Sequence, residues 1–140
     1  MAMELVPLCT LELQLARPLN VGQGPSGHRL VYEITGGTVG GDRLKGKLHG
    51  SGTSADWAVV NNGVATLDVR ATLETEDGAL VYVEYRGRTD VSGGPNSAPM
   101  IVAPTFETSD ERYGWLNSVQ AVGKGTIEGP TLTYEWYEAR

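Results

Sequence analysis

Residues 66–89 read TLDVRATLETEDGALVYVEYRGRT, and the fold is built outward from them because each strand of this stretch names its own partner. Two runs rich in Val, Leu, Thr and Tyr flank Glu76, Asp77 and Gly78. A three-residue loop, a type I turn with Gly78 in the left-handed bulge position, sets Thr75 opposite Ala79. Arg70 then faces Glu84, Asp68 faces Arg86, Thr72 faces Tyr82 and Glu74 faces Leu80. The other side carries Val69 with Tyr85, Ala71 with Val83 and Leu73 with Val81. A two-residue Asp-Gly turn would instead set Arg70 against Tyr85 and Ala71 against Glu84, mixing the faces, so the charge pairing favours the longer loop. The pattern leaves open which face lines an interior.

Upstream, Asn61-Asn62-Gly63 is a turn, and SGTSADW (51–57) is a loop that ends on an acid and a large aromatic. Residues 3–16 alternate, with Cys9, Leu11, Leu13 and Leu15 on one face, as a half-buried strand does. Residues 17–28 are rich in turn formers and read as a surface loop or lid. Arg29 to Thr35 reads as a strand that stops at Gly36-Gly37, followed by two short strands broken by glycines.

Downstream, residues 90–99 form a second loop long enough to cover an opening. A strand from Met100 to Glu107 is interrupted by Pro104, an edge or bulge signal. Residues 109–112 make a turn or at most one helical turn, and Tyr113 to Val122 reads as a strand with Trp115, Asn117, Val119 and Ala121 on one face. Thr126 to Ala139 closes the chain with Leu132, Tyr134 and Trp136 on one side.

At 140 residues this is a single domain, 1–140, and its 19 glycines and seven prolines divide it into short pieces without a helical period. These features predict an all-β chain with no helix, a closed barrel or a sandwich, and the partly polar strand faces favour a single antiparallel β-barrel of about eight to ten strands with room for an interior cavity. The formal charge of −6 and the lack of a basic patch argue against nucleic-acid or anionic-membrane partners. One cysteine, Cys9, excludes an intrachain disulfide and fits a cytoplasmic home. His28 and His49 lack ligand-like neighbours, so no metal is expected. GGTVGG (36–41) lacks the lysine and following helix of a phosphate loop, so no cofactor is expected either.

The motifs GPSGHR (24–29), GGTVGGDRLKG (36–46), ADW (55–57), LDVRATLETEDGALVYV (67–83) and FETSDERYGWLN (106–117) occur in an order that resembles the DUF3237 (UPF0311) family. The resemblance runs from about Leu8 to Glu138. It implies an antiparallel β-barrel able to enclose a cavity, and it brings Arg70 forward because that residue lies within a family motif.

The candidate site comprises Asp56, Arg70 and Glu84 as catalytic groups, with Trp57, Glu74, Tyr82, Tyr113, Trp115 and Asn117 as ligand-binding groups. A carboxylate base, an Arg clamp and Tyr or Asn donors can move protons on a carbonyl or carboxylate compound without a cofactor. This predicts a small-molecule partner and an isomerase, cyclase or lyase type of step. Against it stands the plainer reading that Arg70, Glu84, Asp68 and Arg86 form a solvent-facing charge ladder worth ~0.2–1 kcal/mol per pair. The alternatives are a binding barrel without turnover, and an interaction module, such as a homodimer, using its strand edges.

Overall fold

The hairpin folds in the three-residue register. Arg70 pairs with Glu84, Asp68 with Arg86 and Val69 with Tyr85. Gly78 takes φ +92°, and the Thr75 N–H donates to the Ala79 carbonyl at 2.9 Å. Val69, Ala71, Leu73, Val81, Val83 and Tyr85 are buried, whereas Arg70, Glu84 and Arg86 are exposed. The apolar face is therefore the interior one.

The computed structural model describes residues 1–140. In chain order its strands are β1 (Leu5–Leu15), β2 (Leu19–Gly24), β3 (Gly27–Gly40), β4 (Gly46–Leu48), β5 (Ala55–Asn61), β6 (Val64–Thr75), β7 (Leu80–Asp90), β8 (Met100–Val102), β9 (Thr105–Glu107), β10 (Ala121–Glu128) and β11 (Thr131–Ala139). Pairing runs β6, β5, β3, β1, β11, β10, β8, β7 and returns to β6 through the hairpin. The result is a closed antiparallel barrel of eight strands, which removes the free edges an open sheet would expose. β2, β4 and β9 are short additions to its wall.

The barrel has two different ends. Around the Glu76–Gly78 turn the interior is packed: Leu11, Leu73, Val81, Phe106 and Leu116 belong to one hydrophobic cluster. A 3₁₀ helix, Glu111–Ser118, lies at this end, its fully buried Leu116 entering the cluster and its Tyr113 hydroxyl donating to Asp77 Oδ1 at 2.8 Å. At the far end, where β7 runs into residues 91–99, the interior is open.

Several local expectations are corrected. Residues 17–28 are not a free loop: β2 pairs with β3 in a hairpin closed by Gly24 and Gly27, so the turn formers tighten the connection while β2 stays exposed. β3 does not stop at Gly36-Gly37. Gly37 admits a close neighbour instead, since a Cβ there would stand 2.6 Å from the Glu12 carbonyl and 2.7 Å from Leu13 Cδ2.

Residues 113–118 are helical rather than extended. The Asp110 side chain accepts from the Arg112 N–H at 3.0 Å and caps the helix. Asn117 exchanges two hydrogen bonds with the Thr108 backbone, so it does not share a strand face with Trp115. The closing strand is two strands, β10 and β11, joined at Gly129-Pro130. Its inward set, Leu132, Tyr134 and Trp136, is as expected.

Candidate functional site

The open end of the barrel holds a cavity of about 560 Å³, a volume typical of small-molecule sites. Sixteen of its 24 lining residues are hydrophobic, and no Lys, Arg or His lines it. Residues Pro95 to Pro99 form part of its rim, so the loop expected to cover an opening does border one.

Alternation on β5 places Asp56, Ala58 and Val60 inward. Asp56 is thus the one carboxylate in an apolar chamber. Its Oδ1 accepts from the Asp68 N–H at 2.9 Å, while Oδ2 has no partner. Burial pushes the carboxyl up to about 6, opposed by the Asp68 N–H, with the Asp68 charge raising it further and the Arg29 guanidinium lowering it. A carboxyl near 6 is poised to give or take a proton around neutral pH.

Three phenols accompany it. Tyr32 stands opposite Asp56 in the β3–β5 ladder and also lines the cavity. Burial raises its pKa above the usual phenol value, and the Asp56 charge adds to this. Tyr85 and Tyr134 form the floor, their rings nearly perpendicular at 5.6 Å, with Trp136 beneath them at 5.5 and 5.8 Å. Burial holds both phenols well above their usual range, and their hydroxyls act on each other, raising Tyr85 and lowering Tyr134, without reaching full hydrogen-bond geometry. Gly123 and Gly125 on β10 make room for this floor, because a Cβ at either would strike the ring of Trp136 or Tyr134.

Of the nine candidate residues, the structure brings only Asp56 to the cavity. Arg70 and Glu84 are in register but on the outer face, and they form no ion pair. The Arg70 guanidinium lies 5.8 Å from the Trp57 ring centroid, and Glu84 Oε2 accepts from the Tyr82 hydroxyl at 2.7 Å. Trp57 itself is 41% exposed. Glu74 Oε2 lies 3.8 Å from Lys47 Nζ and 3.4 Å from His49 Nδ1, also outside. Tyr113, Trp115 and Asn117 belong to the packed end, where Arg43 covers the Trp115 ring at 5.2 Å.

Tyr32, Tyr85 and Tyr134 were missed as site residues. Tyr85 and Tyr134 did fall on apolar faces in the sequence pattern, and a phenol on such a face was the available signal. Tyr32 needed the β3–β5 register, which no local pattern supplies.

A family model described as "Protein of unknown function (DUF3237)" matches residues 3–139. The chain belongs to this family. Among DUF3237 relatives, a UPF0311 protein of Rhodopseudomonas palustris (strain TIE-1) is 30% identical over 120 residues, covering 76% of this chain and 77% of the relative. The crystal structure of a beta-barrel like protein from Acinetobacter baumannii superposes with a TM-score of 0.89 at 32% identity, covering 100% of this chain and 98% of that one. A hydroalkoxylation enzyme of Penicillium herquei, phnH, is 32% identical over 95 residues, 68% of this chain and 56% of that enzyme. The DUF3237 barrel thus has an enzyme among its distant relatives.

Proposed function

We propose that this chain is a cofactor-independent enzyme that uses Asp56 as general acid and base on a small, largely apolar, oxygen-bearing molecule held in the barrel cavity. The observation that carries the reading is the state of Asp56: a lone carboxyl in an apolar chamber, one oxygen fixed by a backbone N–H, the other free, and its proton lost near pH 6. The absence of any cation in the lining favours a neutral carbonyl or hydroxyl compound over a carboxylate, since an anion would enter without a partner.

The reaction class is proton transfer of the isomerase, cyclase or lyase kind. A ring closure by addition of O–H across C=C fits the chemistry and the distant likeness to a hydroalkoxylation enzyme. The neutral acid delivers a proton to the alkene or to a conjugated carbonyl, the resulting carboxylate removes the hydroxyl proton, and the product is an isomer of the substrate with Asp56 restored. Tyr32, beside Asp56, is placed to donate a hydrogen bond to the same ligand.

The test uses D₂O. The protein is incubated with 2-tetralone and a panel of neutral hydroxyalkenes, and deuterium entering C–H positions is followed by NMR. Enzyme-dependent incorporation that Asp56→Asn abolishes while 2-naphthol, a neutral probe, still binds is the expected result. Equal incorporation in the variant overturns Asp56 as the base. Binding without incorporation favours a ligand-binding barrel without turnover, a reading supported by the lack of a second carboxyl in the cavity.

A further inference from the structure

The β5–β6 ladder is parted at one point beside the cavity. The Ile34 N–H donates to the Ser54 carbonyl, so Ser54, Asp56, Ala58 and Val60 turn their backbone groups toward β3, and Ala55, Trp57, Val59 and Asn61 turn theirs toward β6. Ala55 pairs with Arg70 and Asp56 with Val69, and pairing resumes at Val59 with Thr66, passing over Trp57 and Ala58 on β5 and Leu67 and Asp68 on β6.

Side chains take up the groups this gap releases. The Asp68 N–H donates to Asp56 Oδ1 at 2.9 Å, from the cavity side. The Trp57 carbonyl accepts from Arg29 Nη1 at 2.8 Å, from the outer side. Arg29 stands on β3 opposite Val59 and reaches two residues back along β5. An interior strand would ordinarily keep its ladder bonds, so a break that begins at the residue next to the cavity acid is not incidental to that acid.

We infer that Arg29 is a positioning residue for Asp56: by holding the Trp57 carbonyl from outside the barrel it keeps the ladder open, and the opening leaves the Asp68 amide free to fix Asp56 Oδ1, so that Oδ2 is the oxygen presented to a ligand. The guanidinium suits this task because it stays charged and offers directed donors on a rigid plane. The inference concerns the geometry of Asp56 and builds on the acid–base reading only for its consequence.

The charged and titratable groups that surround Asp56 are Arg29 and Tyr32 from β3, Asp68 from β6, Tyr85 from β7 and Tyr134 from β11. Arg29 is the one cation among them, and it lowers the proton affinity of the carboxyl. Closing the ladder would cost Asp56 both the amide and this charge.

An NMR pH titration tests the inference without a substrate. In the unaltered protein the Asp68 amide shift and the Asp56 carboxyl shift are expected to share one midpoint. In Arg29→Ala the Asp68 amide is expected to stop following that titration, as it returns to the Trp57 carbonyl, and the Asp56 midpoint is expected to rise by roughly 0.5 to 1. Arg29→Lys, which keeps the charge without the fork, is expected to hold the midpoint while weakening the Asp68 response. The inference is overturned if the Asp68 amide titrates unchanged in Arg29→Ala, whether or not the midpoint moves. Failure of the unaltered protein to bind 2-naphthol would instead count against the cavity reading and leave this coupling intact.

Discussion

Asp56 and Tyr32 face each other across the β3–β5 ladder with both side chains on the cavity wall, an acid and a phenol set side by side by strand register alone. Neither is matched by a buried cation, so both keep the proton more tightly than they would in water.

That environment makes Asp56 a cost to folding at neutral pH. Its carboxyl is raised to about 6 from an ordinary value of about 3.9. Between these values the folded chain binds more proton than the unfolded one, so stability falls as pH rises through the window, by an order of ~2–3 kcal/mol in total. The carboxylates held low by hydrogen bonds, Asp77, Asp90, Asp110 and Glu138, act at lower pH and in the opposite sense. Urea unfolding between pH 4 and 8 should therefore show stability declining up to about pH 7 and level beyond it, and Asp56→Asn should flatten the decline. A decline of equal size in the variant would assign it to another group.

The outward placement of Arg70 and Glu84 leads to a separation of effects. Arg70→Ala and Glu84→Gln should leave 2-naphthol binding unchanged and shift stability by no more than about 1 kcal/mol. Tyr32→Phe should weaken binding several-fold, because it removes a donor from the cavity wall without altering the apolar lining. Binding followed by tryptophan or tyrosine fluorescence distinguishes the two sets, and loss of binding in Arg70→Ala would place the ligand outside the barrel.

The aromatic floor depends on glycine. Gly125→Ala drives a methyl group into the Tyr134 ring, so the ring must move up into the cavity or the strand must shift. The expected loss is about 1–3 kcal/mol, with weaker binding of any probe that reaches the floor. Thermal unfolding together with probe titration reads both, and a neutral substitution would show that the floor yields freely.

The central hairpin was legible in the sequence because its information is local: opposite charges in register and one glycine decide the pairing, and these are the pairs observed. Trp115 and Asn117 show the opposite case. They sit at strand-like spacing, yet the Asp110 cap and the Thr108–Asn117 bonds turn the segment into a helix, and such side chain to backbone closure outweighs alternation over a few residues. Of the cavity wall, only Asp56 among the nine candidates was legible. Asp56 stood out as an acid beside an aromatic, but its companions come from β3, β7 and β11, and their meeting is set by barrel closure across long sequence separations. Arg70 and Glu84 drew attention because charge pairing is easy to read, and that same pairing marks a strand face turned to water.

The turn that decides the register supplies the last prediction. Thr75 is 4% exposed; its Oγ1 accepts from the Ala79 N–H at 2.8 Å and donates to Asp77 Oδ1 at 2.6 Å. Valine has the same shape and no hydroxyl, so Thr75→Val strips a bond from the Ala79 N–H in a buried setting and should cost about 1–3 kcal/mol. Asp77, held low first by Thr75 and then by Tyr113, should titrate closer to an ordinary carboxylate. Because the turn lies at the packed end and the cavity at the other, 2-naphthol binding should not change. Urea unfolding, an NMR titration of Asp77 and a binding isotherm check the three parts, and a change in binding would mean that the two ends of the barrel are mechanically coupled.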